Sequence, residues 1–367
     1  MGAWSERWWL RALMGAALLS ALVGVVVLAA DAFGSATDQR VAMTFLINLA
    51  VATGLQTYVG NSGVISFGHV SFMALGAYGA ALFSASPEVK AQSIPDAPAF
   101  IVNAELSFVP ATLIGIAVAM LVAFLVGFTI VRLAGAAASV ATLGLMVVVF
   151  TILSNTDTLT RGSKAFSGIP PYTNLGWGLG AVVLCLTIAR LLRDCDLGLG
   201  LRSSREDELA AQASGVDITR ARLVMWVAGA GMAALGGSLY AHFVLAILPK
   251  AFHFDLTFLT VTMVIVGGHS ISGAVAGTAA ITLMAEFLRR AENGFSIGPF
   301  SLSEAPGLTT IVLGLLIVLA LTLRPKGLLG RWELDELIAR ALAGRPPEGA
   351  SPPRLAPTRS REERAPT

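Results

Sequence analysis

Few residues in this chain could do chemistry. The four histidines are His69, His242, His253 and His269, and the two cysteines, Cys185 and Cys195, lie ten positions apart. No HExxH, CxxC or GxxxxGK[ST] pattern occurs, so the spacings for zinc-assisted hydrolysis, dithiol redox chemistry and nucleotide-phosphate binding are missing from the sequence. Any dependence on ATP must come from a partner. What remains are two glycine- and serine-rich interruptions, each with a histidine, and one charged stretch at 199–217.

The charged stretch predicts a short helix outside a membrane. Ser203 and Ser204 are placed to cap its start, with Glu206 and Asp207 three residues on, the capping-box spacing. Glu206, Asp207 and Glu208 fall in the first turn, where the helix dipole favours negative charge. Ala210, Ala211 and Ala213 favour helix, and Gly215 fits just past the end. Ten residues give roughly 15 Å, too short to be stable alone, so the helix needs a surface to pack on. A separate soluble protein on the cytoplasmic side is the expected surface. A solvated loop helix with no partner is the plainer alternative.

The elements around these motifs are apolar. Of 367 residues 55% are hydrophobic and 13% charged, about half the charge of a soluble domain. The net charge of +2 gives no reason to expect nucleic acid. Spans are predicted over 10–30, 41–59, 69–86, 108–131, 136–153, 175–192, 223–244 and 305–323. The run 255–268 is too short to cross comfortably and is followed by 274–288. The total is about ten transmembrane or half-membrane helices. Residues 10–30 are longer than a signal-peptide core and are read as an uncleaved span. Arg132, Arg190, Arg193, Arg202, Arg205, Arg220, Arg222, Arg324 and Lys326 fall on one side, which predicts cytoplasmic N- and C-termini. Arg289 and Arg290 count against this.

The interruptions at 60–68 and 267–273 resemble each other. Unwound backbone at membrane depth survives where protein buries it or a water-filled path runs beside it, and paired broken helices point to a transport pathway. Asn61, Ser62, Ser66, His69, His269, Ser270 and Ser272 are therefore pathway candidates, with helix-end packing the competing role. His242 and His253 are expected to be solvated beside an outer loop. Gly229, Ala233 and Gly237, with Gly273 and Gly277, read as close-packing faces. Gly60-Asn61-Ser62-Gly63 also matches the GxSG of rhomboid-type intramembrane serine proteases, with His242 or His269 offered as base. Such a pattern arises easily in a chain with 38 glycines.

The stretch GNSGVISFGHVSFMALGAYGAAL (60–82) resembles a signature of the branched-chain amino acid ABC-transporter permeases of the LivM type. Similar blocks follow in order at 203–242, 263–280 and 323–330, and more loosely at 159–170, so the resemblance covers 41–330. It implies an all-α polytopic membrane protein of ABC importer permease architecture in the bacterial inner membrane, without enzymatic activity or a cofactor of its own. Its implied partners are two ABC ATPase subunits that bind the ATP, a second homologous permease subunit and a periplasmic solute-binding protein. In that picture Ser204, Arg205, Glu206, Asp207, Glu208, Ala211 and Gly215 belong to the coupling helix docked on an ATPase. Glu208-Leu209-Ala210-Ala211 followed by Gly215 resembles the looser EAA-x3-G pattern of ABC importers, with the Glu displaced by one position. Ala136–Ser139 departs from the Pro-Tyr-Phe-Ala-like run of relatives, which makes the fifth span smaller and puts the solute in question. The expected parts are 1–40 (first span and linker), 41–330 (permease domain with coupling loop 193–222) and 331–367 (a short cytoplasmic helix and disordered tail). An ion-coupled secondary transporter is the alternative, but it would usually carry an intramembrane acid, and only Glu286 stands in the late spans, beside Arg289 and Arg290.

Overall fold

The computed structural model describes residues 8–133 and 135–292, the backbone of 295–297 and 300–302, and shorter stretches up to 334 that include 327–330 and 333–334. The described chain is all-helical apart from two small antiparallel pairs. Strand β1 (Phe166–Ser167) pairs with β2 (Ala246–Ile247), and β3 (Phe295–Ile297) with β4 (Phe300–Leu302).

The helices follow the apolar runs. They are α1 (Trp8–Phe33), α2 (Ala36–Ser62), α3 (His69–Ser84), the short α4 (Pro87–Ser93) and α5 (Ala99–Val102), α6 (Phe108–Ile130) and α7 (Gly135–Asn155). After these come α8 (Asp157–Thr160), α9 (Leu175–Asp194), α10 (Asp196–Ser203), α11 (Glu208–Ala213), α12 (Ile218–Val244), α13 (Phe254–Gly267) and α14 (Ile271–Glu292). Among the described residues, eight helices are long and apolar enough to cross a bilayer. The 14-residue α13, expected to fall short, is preceded by a 3-10 turn at Pro249–Phe252, and together they give a 19-residue stretch long and apolar enough to cross. The span expected at 305–323 lies largely outside the described residues.

Lipid tails are as apolar as leucine, so helices here associate through close packing rather than exclusion of water. The centre is α12, which packs on α2, α3 and α6. Its small residues make this possible. A methyl on Gly237 would stand 1.9 Å from the Met73 carbonyl oxygen, and one on Gly229 2.5 Å from that of Gly54. Just before Gly229 on the same helix, Trp226 is fully buried, donates from Nε1 to the Ala123 carbonyl at 3.0 Å, and meets the rings of His69, Tyr58 and Phe72 at 5.0, 5.2 and 5.3 Å.

The loops gather at two ends. At one lie 63–68, 195–217, 268–270 and 327–330, with Arg190, Arg193, Arg202, Arg205 and Arg222. The opposite end carries 85–107, 156–174 and 245–253, knit by the β1–β2 pair and by buried Lys90. The Lys90 ammonium donates to the carbonyls of Leu82 (3.2 Å), Ile101 (2.9 Å) and Ala104.

Candidate functional site

The charged stretch folds as two short helices. Ser203 and Ser204, expected as caps, end α10 instead: their hydroxyls donate back to Gly200 at 2.7 Å and Leu201 at 2.8 Å. The cap of α11 is Asp207, whose carboxylate accepts from the Ala210 amide at 3.0 Å. Glycine carries the far end. Gly215, at φ +86°, lets its own amide reach the Gln212 carbonyl (2.9 Å) and that of Val216 the Ala211 carbonyl (3.1 Å), a Schellman stop. The Glu208 carboxylate lies 3.4 Å from Arg222 on α12. Ala211 faces inward, while Leu209 is 78% exposed.

The first break begins later than expected. Gly60, Asn61 and Ser62 are still helical, and Gly63, at φ +73°, closes α2 with its amide on the Val59 carbonyl at 2.8 Å. Ser62 donates to the Tyr58 carbonyl at 2.7 Å and accepts from the Val64 amide at 3.2 Å. Its hydroxyl is thus spent on its own helix end. His242, one histidine offered to it as a base, lies near the opposite end. Contrary to the expectation of a solvated side chain, His242 is buried between Ser84 Oγ and the Ser238 carbonyl, both at 2.8 Å. His253 is half-buried with its ring 4.1 Å from that of Phe150. His69 opens α3, fully buried, with Nδ1 3.0 Å from Ser66 Oγ. The unwound backbone between the helices is held by α7, through Thr142 Oγ1 to the Phe67 amide (3.1 Å) and Ser139 Oγ to the Ile65 carbonyl (2.8 Å).

Two arginines of the charged stretch grip this break. Arg205 donates to the Gly60 carbonyl at 2.8 Å and lies against Gly63, and Arg202 donates to Asn61 Oδ1 at 3.2 Å. Cations are favoured there, because the last carbonyls of a helix carry the negative end of its dipole.

The second break is held with the opposite sign. Gly268, His269 and Ser270 are unwound, and Ile271 to Gly273, expected in the break, already belong to α14. The first amides of α14 are all satisfied. Ile271 and Ser272 donate to the Glu333 carboxylate at 2.8 and 3.0 Å, and Gly273 donates to Ser270 Oγ at 3.0 Å. Ser272 Oγ also donates to Glu333 at 2.6 Å and accepts from the Leu334 amide at 3.0 Å. Arg190 and Arg193 stand 3.1 and 3.2 Å from the same carboxylate, which is fully buried. Burial pushes the Glu333 carboxyl up, but Arg193, Arg190, the Ser272 hydroxyl and the Ile271 amide outweigh it and hold it below the usual carboxylate range.

The sequence reading missed Glu333, three residues past the boundary set at 330. Its only signal was an acid set between Trp332 and Leu334, the first of three in the run Glu333, Asp335 and Glu336. It missed Arg202 as well, counted for charge but given no role at a site. The two breaks also meet. A methyl on Gly60 would stand 3.1 Å from the His269 carbonyl oxygen. Glu286 pairs with Arg289 at 2.9 Å and Arg290 at 2.8 Å, a local ion pair of the kind its neighbours predicted. Among the described residues no three metal-ligating side chains come together.

Eight helices apolar enough to cross a bilayer, with two helix breaks that meet and are held by protein groups, give the architecture of a polytopic membrane protein, and paired breaks of this kind point to transport. The molecule is of the membrane permease class. Within that class, the family described as "Branched-chain amino acid transport system / permease component" matches residues 39–321, and the chain belongs to it. It is similar to the high-affinity branched-chain amino acid transport system permease protein LivM of Salmonella typhimurium and to that of Escherichia coli, each 26% identical over 323 residues, 79% of this chain and 69% of the relative. It is also 30% identical over 165 residues to a probable branched-chain amino acid transport permease protein LivM of Methanocaldococcus jannaschii, over 42% of this chain and 47% of that one. No solved structure matches.

Proposed function

We propose that the chain is the permease subunit of an ATP-driven ABC importer for branched-chain or related hydrophobic amino acids in the bacterial inner membrane. Two ATPase subunits bind the ATP, a second homologous permease completes the membrane pathway, and a periplasmic binding protein delivers the solute. The single observation that carries the reading is the grip of Arg205 and Arg202 on the end of α2 at the first break. The helix α11 offers exposed Leu209, Ala210, Gln212 and Ala213 to an ATPase at the arginine-rich end, which faces the cytoplasm in this reading. Motion of that helix reaches the carboxyl end of α2, next to the first break, through the two arginines that precede it in the chain. Solute access then alternates by a rigid-body switch, driven by ATP binding one state better than the other. Asn61, Ser62, Ser66, His69, His269, Ser270 and Ser272 serve as helix-end groups that hold the hinges of the pathway, while Ser204 to Gly215 form the docking element.

The test is a mild-detergent pull-down of the full tagged chain, compared with Leu209→Asp, together with ATP-dependent leucine uptake. Leu209 is 78% exposed, so the substitution leaves the bundle intact. An ATPase bearing a phosphate-binding loop and a second permease should co-purify with the wild type. The variant should lose the ATPase, keep the permease and take up no leucine. A variant that retained the ATPase and full uptake would remove α11 from the docking role.

A further inference from the structure

The second break depends on a part of the chain far from it in sequence. Beyond the apolar run at 305–323, the Leu328 amide donates to the Val266 carbonyl (2.8 Å), the Leu329 amide to that of Gly267 (3.3 Å), and the His269 amide to that of Gly330 (2.9 Å). Gly327 rests on Gly268, where a methyl would stand 2.4 Å from the Gly268 Cα. Glu333 then supplies both oxygens to the start of α14 and draws in Arg190 and Arg193 from the end of α9. Three elements that no turn connects are thereby joined: the unwound backbone 268–270, the end of α9 and the residues at 327–330 and 333–334. A buried carboxylate pays for its desolvation only with this many partners. Asp194 is the further acid near the two arginines, 3.7 Å from Arg190 and 3.6 Å from Arg193, and it is partly exposed where Glu333 is not.

We infer that Glu333 is a positioning residue, the pin of a latch that holds the second break closed by tying α14 and α9 to the residues at 327–330 and 333–334. Releasing the pin unwinds the start of α14 and opens the break without unfolding the bundle. The latch rests on the transport reading only for its effect on uptake; the geometry by itself sets its effect on the break.

The experiment uses the full-length chain in membranes with Cys195→Ser and Ser270→Cys. Native Cys185, fully buried on α9, is kept as an internal control. Labelling by a membrane-permeant maleimide is compared with and without Glu333→Gln, and with Glu333→Asp, which keeps the charge. The pin predicts slow labelling at position 270 with Glu333 present and an increase of about tenfold with Gln, as for residues that bias a two-state element without touching a ligand. Asp should fall between, and Cys185 should stay protected throughout. Equal protection of position 270 in all three chains would overturn the latch. Labelling of Cys185 together with position 270 would also overturn it, by making Glu333 a support of the whole fold. In the assembled importer, Gln should lower the maximal uptake rate about tenfold and leave the half-saturating concentration unchanged. Exposure at position 270 with no uptake in any chain, wild type included, would count against the transport reading and leave the latch standing.

Discussion

At the scale of single residues, the charges at the two breaks obey one rule with opposite signs. The carboxyl end of α2 meets two arginines and the amino end of α14 meets a carboxylate, the preference set by the partial charges of the helix termini. The serines around them are occupied as well. Ser62, Ser66, Ser270 and Ser272 all satisfy backbone or capping groups, so their value lies in letting the helices stop inside an apolar bundle. Arg205 differs, because its carbonyl partner lies 145 residues away on another helix. Replacing it by Ala removes a charge-assisted hydrogen bond worth about 1.5–3 kcal/mol. The expected outcome is an ATPase that still co-purifies and leucine uptake reduced about tenfold. Uptake in proteoliposomes beside a quantitative pull-down checks this, and unchanged uptake would leave Arg205 as mere packing.

Among the elements, α12 is the member the others are built on. Its glycines replace a hydrophobic drive that the bilayer does not provide. At Gly237 the approach to the Met73 carbonyl leaves no room for a methyl, whereas among the described residues no atom of another element lies within 4 Å of the same position at Gly24 on α1. Gly237→Ala should therefore cost on the order of 1–3 kcal/mol through overpacking of α12 on α3. Gly24→Ala should be neutral or slightly stabilising through helix propensity. Melting temperatures of the two variants in the same detergent decide the matter, and equal values would mean that the α3–α12 contact is looser than described. Within the described residues the helix boundaries were legible at this scale to within a few residues, because hydropathy is a local property of a run of residues. The caps were less so. Ser203, Ser204 and Asp207 are all good capping types, and the choice among them was made by α10, which runs on through Ser203 and turns the two serines back onto its own carbonyls.

The whole molecule has two unlike ends, one knit by short strands and buried Lys90, the other by arginines and the two breaks. The arginine-rich end should face the cytoplasm. With both native cysteines replaced by serine, Leu209→Cys should react with a membrane-impermeant maleimide in inside-out vesicles and stay unlabelled in intact cells. The reverse pattern would invert the molecule and remove α11 from the reach of a cytoplasmic ATPase. The sequence by itself determined the all-helical membrane class, the run of spans up to α14 and the presence of two glycine breaks, since each is written in consecutive residues. It also carried the resemblance that family membership then established. Only the tertiary structure decided that the breaks touch at Gly60 and His269, that Arg202 and Arg205 hold one, and that Glu333 holds the other. Those partners lie from 61 residues apart (Ser272 and Glu333) to 209 (Gly60 and His269). A charge in sequence shows its sign but not its partner; desolvation inside the packed bundle selects, from every distant group of opposite sign, the one that can reach.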